Sequence, residues 1–85
     1  LEMSMDDIRQ VVQAFGDAAT RAVEAGFDFV EIHGAHGYLL HSFYSPLSNL
    51  RDDNYGGDVE NRTRLIREVT EEVRRRVPES MPVFV

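Results

Sequence analysis

The feature that most restricts the fold is a short aromatic and β-branched run, Phe27 to Ile32, set between two stretches of helical periodicity. Its apolar residues do not alternate cleanly, and that pattern predicts a strand buried on both faces, as in a parallel sheet. Before it, Ile8, Val11, Val12, Phe15, Ala18, Ala19, Ala22 and Val23 recur at three- and four-residue spacing along one helix face. Ser4 and Asp7 have the capping-box pattern, so this helix starts near Met5, and Gly26 stands where a C-terminal cap belongs. After the strand, Gly37 to Tyr44 has the makings of a short helix stopped by Pro46, and Asn49 to Gly57 is polar and turn-rich. Asp58 then reads as the N-cap of a helix carrying Val59, Leu65, Ile66, Val69, Val73 and Val77 on its apolar side. Its Glu68, Glu71 and Glu72 lie three or four residues from arginines, a pattern expected of a solvated face. Met81 to Val85 suits a second strand. Helix, strand, loop, helix, strand is a βα repeat, which builds parallel sheets and barrels with ligands gathered at the strand C-termini.

Composition removes several alternatives. With 85 residues, two or three independent domains are ruled out, and residues 1–85 are read as one partial domain. A hydrophobic share of 42% places the chain among ordered proteins. Neither a membrane span nor a signal peptide occurs in this stretch, and the cytoplasm is the expected compartment. Zero cysteines exclude disulfides and thiolate metal sites. Fifteen acidic against nine basic residues, a net charge of −6, speak against nucleic acid or anionic lipid as partners.

Residues 33 to 57 hold all three histidines, all three tyrosines and four of the six glycines. His33, His36 and Tyr38 follow the strand with Gly34, Ala35 and Gly37 between them, small residues that let the backbone turn and the rings converge. Two imidazole N–H donors can hold one ligand oxygen and stabilise charge developing on a carbonyl, while a phenol beside them supplies a proton to the neighbouring carbon. The alternative for each is a packed structural side chain, and the bunching carries the functional reading. A metal site from His33, His36 and His41 is a further alternative. Its spacing is a poor match, since His41 falls five residues on in a helix and Asp28 and Glu31 lie on the strand side.

The run His33-Gly-Ala-His36-Gly-Tyr38-Leu-Leu-His41, then Ser45-Pro-Leu-Ser-Asn-Leu-Arg51, then Tyr55-Gly-Gly57 and Glu60-Asn61-Arg62 resembles the Old Yellow Enzyme family of flavin-dependent ene-reductases. The resemblance covers nearly the whole chain, including Ala22-Val-Glu-Ala-Gly-Phe-Asp28. It implies an α/β fold, a fragment of a (β/α)8 TIM barrel holding FMN, with this stretch as the fourth strand, its long active-site loop, the following helix and the start of the fifth strand. It also implies hydride transfer from NAD(P)H through FMN to the activated C=C of an enone or enal. By the same resemblance His33 and His36 bind the substrate carbonyl oxygen and Tyr38 donates the proton. The His/His pair is similar to the branch with bacterial xenobiotic-reductase-like members, and a homo-oligomer is expected of the full-length protein.

Asp52 stands where the family commonly has Thr, and Asp58 where it commonly has Ser; Asp58 can still cap the helix. Arg51, Asp53, Tyr55 and Glu60-Asn61-Arg62 are read as scaffold tying the loop to the helix. The flavin-binding side chains, including an arginine just past Val85, are expected outside this chain. A second reading is a catalytically silent barrel fragment acting as an assembly module. The sequence favours a segment of a longer enzyme, because it opens mid-element and stops in a strand.

Overall fold

In the computed structural model, which describes residues 2–85, the first helix forms where its cap residues dictate. Helix α1 spans Met5–Glu24. The Ser4 hydroxyl oxygen accepts the Asp7 N–H at 3.1 Å and the Asp7 carboxylate accepts the Ser4 N–H at 2.9 Å, a reciprocal capping box. The far end closes as a Schellman motif: Gly26 takes φ 88°, its N–H reaches the Val23 carbonyl at 3.1 Å, and the Phe27 N–H reaches Ala22 at 3.2 Å.

The described residues form two compact units, residues 2–32 with Val69–Val85, and His33–Glu68. In the first, strand β1 (Val30–Glu31) pairs in parallel with strand β2 (Val83–Phe84), Val30 opposite Val83 and Glu31 opposite Phe84. The Ile32 N–H donates to the Phe84 carbonyl at 2.8 Å, and the Phe29 and Phe84 rings meet edge to face at 5.6 Å. The expectation of a strand buried on both faces is corrected here. Ile32 is buried and Val30 half-buried, while Phe27, Phe29 and Glu31, of the opposite parity, are exposed. Side chains alternate across a strand, and within this unit only one of its faces is covered.

The same unit corrects, at Glu72, the reading of the helix after Asp58 as presenting a solvated charged face. Helix α4 (Arg64–Arg76) contributes its residues from Val69 onward to this unit and buries Val69 and Val73, as its periodicity requires, but it also buries Glu72. The cause lies on α1. A Cβ at Gly16 would come within 2.8 Å of Glu72 Cγ, so the missing side chain makes room for the carboxylate. Glu72 is held there by Arg75 and by Arg76, whose Nε donates to it at 2.7 Å. Arg76 also donates to Asp17 and to Gln13, each at 3.0 Å, and to Thr20 at 3.2 Å, tying α4 to α1. A buried charge so paired avoids the large penalty of an isolated one.

The second unit carries two short helices, α2 (Leu39–Tyr44) and α3 (Val59–Arg62). Asp58 caps α3 as expected, accepting the Asn61 N–H at 2.9 Å. The single helix expected from there onward is interrupted at Thr63, which takes φ −91° and ψ 0°. Its hydroxyl donates back to the Val59 carbonyl at 2.8 Å, the local competition with helix bonding for which threonine is known. Val59 is exposed rather than on the apolar face, and Ala18 of α1 is likewise exposed. Among the described residues no helix is long and apolar enough to cross a membrane.

Candidate functional site

The cluster read from the sequence is brought together. His33 lies two residues past β1, and its ring centroid is 5.3 Å from that of His36 and 5.3 Å from that of Tyr38. All three are exposed, Tyr38 at 66%, so the rings face accessible space. The turn that sets them is unusual. The Tyr38 N–H approaches the Ala35 carbonyl at 3.4 Å, and both central residues have positive φ, 62° at His36 and 78° at Gly37. Two successive positive φ angles are the mark of a type I′ turn. For Gly37 this conformation is free, and for His36 it costs on the order of 1–2 kcal/mol. Imidazoles at this separation can aim N–H donors at one shared acceptor, and the phenol, whose ring also meets that of His33, can donate to an adjacent atom.

His41 is not part of this cluster. Its Nδ1 accepts the Gly37 N–H at 2.7 Å and its ring packs on Tyr44 at 4.9 Å. A nitrogen lone pair used in that way is not offered to a metal, and no group of three His, Asp or Glu side chains among the described residues is placed to hold one.

The loop that follows α2 is held by a set of polar contacts, those of Asn49 buried. Asn49 Nδ2 donates to the carbonyls of Phe43 and Tyr55, the latter at 2.7 Å, while its Oδ1 accepts the Arg51 N–H at 3.0 Å. Arg51 pairs with Asp53 at 2.5 Å and lies over the Phe43 ring at 5.5 Å. The Arg51 hydrogen bond keeps the Asp53 carboxyl below the usual carboxylate range. Burial, reinforced by Glu68, pushes the Tyr55 phenol up to about 12, and its hydroxyl donates to Glu68 at 2.6 Å. Arg62 donates to the Tyr44 carbonyl at 3.0 Å and to Gly57 at 2.5 Å; Asn61 donates to Gly56 at 3.0 Å. Gly56 is required by close approach, since a Cβ there would lie 2.2 Å from the Arg51 carbonyl oxygen. The scaffold reading of Arg51, Asp53, Tyr55, Asn61 and Arg62 therefore matches their contacts, and Glu60 takes part through its carbonyl, which accepts from Arg67 at 2.7 Å. Asp52 is exposed. Sequence reasoning missed Asn49, Glu68 and the bond made by His41. Of these, only His41 left a signal, a ring acceptor four residues after a glycine at a helix start.

The model of the NADH:flavin oxidoreductase / NADH oxidase family matches residues 1–85. An NADPH dehydrogenase of Clostridium acetobutylicum is 54% identical over 84 residues, which are 99% of this chain and 25% of that protein. One of Bacillus subtilis is 58% identical over 74 residues, 87% of this chain and 22% of that protein. The crystal structure of Old Yellow Enzyme from Pichia sp. AKU4542 superposes with a TM-score of 0.93 at 43% identity, over 98% of this chain and 22% of that one. The chain thus spans a quarter or less of the length of these relatives. Its α/β elements are a fragment of the Old Yellow Enzyme barrel.

Proposed function

Because the chain belongs to the NADH:flavin oxidoreductase / NADH oxidase family, that of Old Yellow Enzyme, we propose that it is the substrate-binding and proton-donating part of an NAD(P)H-dependent, FMN-containing ene-reductase. The substrates are α,β-unsaturated carbonyl compounds, enones and enals. The observation that carries this reading is the pair of ring separations, 5.3 Å each, that bring His36 and Tyr38 against His33.

We assign no flavin contact to the arginines of the second half of this chain. Arg51, Arg62, Arg64, Arg67, Arg74, Arg75 and Arg76 are already engaged with carbonyls or carboxylates. Among the described residues no buried side-chain nitrogen or oxygen lacks a partner. A flavin bound in the complete protein would supply the hydride, taken from NAD(P)H. This chain's own residues act on the substrate. His33 and His36 donate to the carbonyl oxygen, withdrawing charge from the alkene and stabilising the enolate oxygen as it forms. Tyr38 gives its hydroxyl proton to the α-carbon of that enolate, which completes reduction of the C=C bond.

The test uses the full-length protein loaded with FMN and a simple phenol, whose oxyanion imitates the enolate. His33→Ala and His36→Ala each weaken phenol binding by roughly ten- to a hundredfold, the size of one charge-assisted hydrogen bond, with FMN content unchanged. Release of flavin with intact phenol affinity in the remaining holoenzyme would show that the histidines serve the cofactor instead.

A further inference from the structure

The turn 35–38 that presents His36 and Tyr38 holds a side-chain-bearing residue at φ 62°, a conformation that is uphill for any residue with a Cβ. Its own closing bond, Tyr38 N–H to Ala35 carbonyl, is long at 3.4 Å and gives little hold. The shorter bond comes from outside the turn. Gly37 donates its N–H to His41 Nδ1 at 2.7 Å, and Gly37 is the residue joining His36 to Tyr38. The acceptor is itself fixed: His41 lies on α2, whose first helical bond runs from the Ser42 N–H to the Tyr38 carbonyl at 2.9 Å, and its ring leans on Tyr44 at 4.9 Å and 54°. An imidazole that accepts at Nδ1 carries its proton on Nε2, so the neutral tautomer is specified.

We propose that His41 is a positioning residue for the reaction: through Nδ1 it clamps the 35–38 turn in the left-handed conformation that brings His36 and Tyr38 to their places beside His33. The proposal rests on the reading of His33, His36 and Tyr38 as the groups that meet the substrate. It makes the placement of His36 depend on one acceptor lone pair at the δ1 position, a chemical requirement separable from the bulk of the ring.

Three variants of the full-length FMN-loaded protein test it. Asn places its Oδ1 where His41 places Nδ1, Gln carries its acceptor one bond further out, and Leu has none. His41→Leu and His41→Gln should slow reoxidation of the reduced enzyme by cyclohexenone about three- to tenfold and weaken phenol binding by a similar factor, the scale of one net hydrogen bond. His41→Asn should stay within about twofold of the parent on both measures, and reduction by NAD(P)H should be unchanged in all three. If His41→Leu is insoluble, the Asn and Gln variants read the same difference. Equal loss in Asn and Gln, no loss in Gln, or equal slowing of both half-reactions would overturn the clamp. Phenol binding that survives His33→Ala and His36→Ala would instead overturn the substrate-site reading, whatever the His41 variants do.

Discussion

Asn49 offers the sharpest test of how the loop after α2 is held. Only 8% exposed, it spends both amide hydrogens and its oxygen on backbone groups: the carbonyls of Phe43 and Tyr55 and the N–H of Arg51. Asn49→Ala removes all three bonds. At about 0.5–1.5 kcal/mol net for each, with the added cost of backbone groups left buried, the loop loses about 2–4 kcal/mol. Asn49→Asp distinguishes the physics. Its Oδ1 can still accept from Arg51, but the second oxygen would face two carbonyl oxygens, so the aspartate is at least as destabilising as alanine near neutral pH. Protonation restores one donor and cancels the charge, so the aspartate variant recovers on acidification and the alanine variant does not. Native-state hydrogen exchange of the full-length protein, read on peptides covering residues 43–57, measures this local opening directly. The alanine variant should lose protection by roughly thirty- to a thousandfold, the same energies expressed as equilibrium constants. Protection within threefold of the parent, or an aspartate variant better protected than alanine at neutral pH, would refute the account of Asn49 as the loop's tie.

Tyr38→Phe in the full-length enzyme should leave flavin reduction by NAD(P)H nearly unchanged and slow enone turnover by about 10²- to 10⁴-fold, because only the second half-reaction needs a proton delivered to carbon; stopped-flow traces of the two half-reactions decide, and equal loss in both would make Tyr38 structural. Tyr55, whose phenol is pushed from 10.0 up to about 12, contributes stability that is complete below pH 10 and lost as pH rises toward about 12. Tyr55→Phe should therefore cost about 1–2 kcal/mol in urea unfolding at neutral pH and flatten the stability profile over that alkaline interval; an unchanged alkaline slope would mean that the buried Tyr55 phenol is not the source.

What the sequence made legible was local. The Ser4 and Asp7 box, the Gly26 cap and the Asp58 cap each depend on residues within a few positions, and each formed as expected. The ring cluster was legible for a related reason: His33, His36 and Tyr38 are close in sequence with only small residues between, so one turn is enough to gather them. Glu72 was not legible, because its burial is decided by a missing Cβ on another helix and by Arg76 arriving with it. Periodicity placed Glu72 on the charged face correctly and said nothing about what that face would meet. Asn49 was hidden in the same way, since an asparagine in a turn-rich stretch looks alike whether its amide is solvated or bound to two buried carbonyls. The interruption at Thr63 turned on a side chain with two available partners, the helix ladder and its own preceding carbonyls.

The surface of this chain bears on how the 85-residue polypeptide behaves when made alone. Its two-stranded sheet has an unpaired edge on each side, and a parallel pair of two-residue strands contributes few bonds to offset the entropy of ordering it. Phe27 and Phe29 are exposed just before β1, and Leu47 and Leu50 stand 92% and 86% exposed in the loop after α2. In a complete (β/α)8 barrel such strands find neighbours on both sides, and barrels need roughly 250 residues to do this. A chain that leaves this much apolar surface in water should bury it against other copies of itself. Expressed alone, it is expected to sediment as assemblies above 9.7 kDa, to bind ANS, and to leave the fluorescence of added FMN unquenched, since it supplies only two strands of the barrel that would enclose the flavin. Sedimentation velocity and a flavin titration test both halves of the expectation. A well-folded 9.7 kDa monomer that binds FMN at micromolar concentration would show that the chain closes its own surface and carries its own flavin site, contrary to the reading of the exposed residues as faces that the rest of a barrel covers.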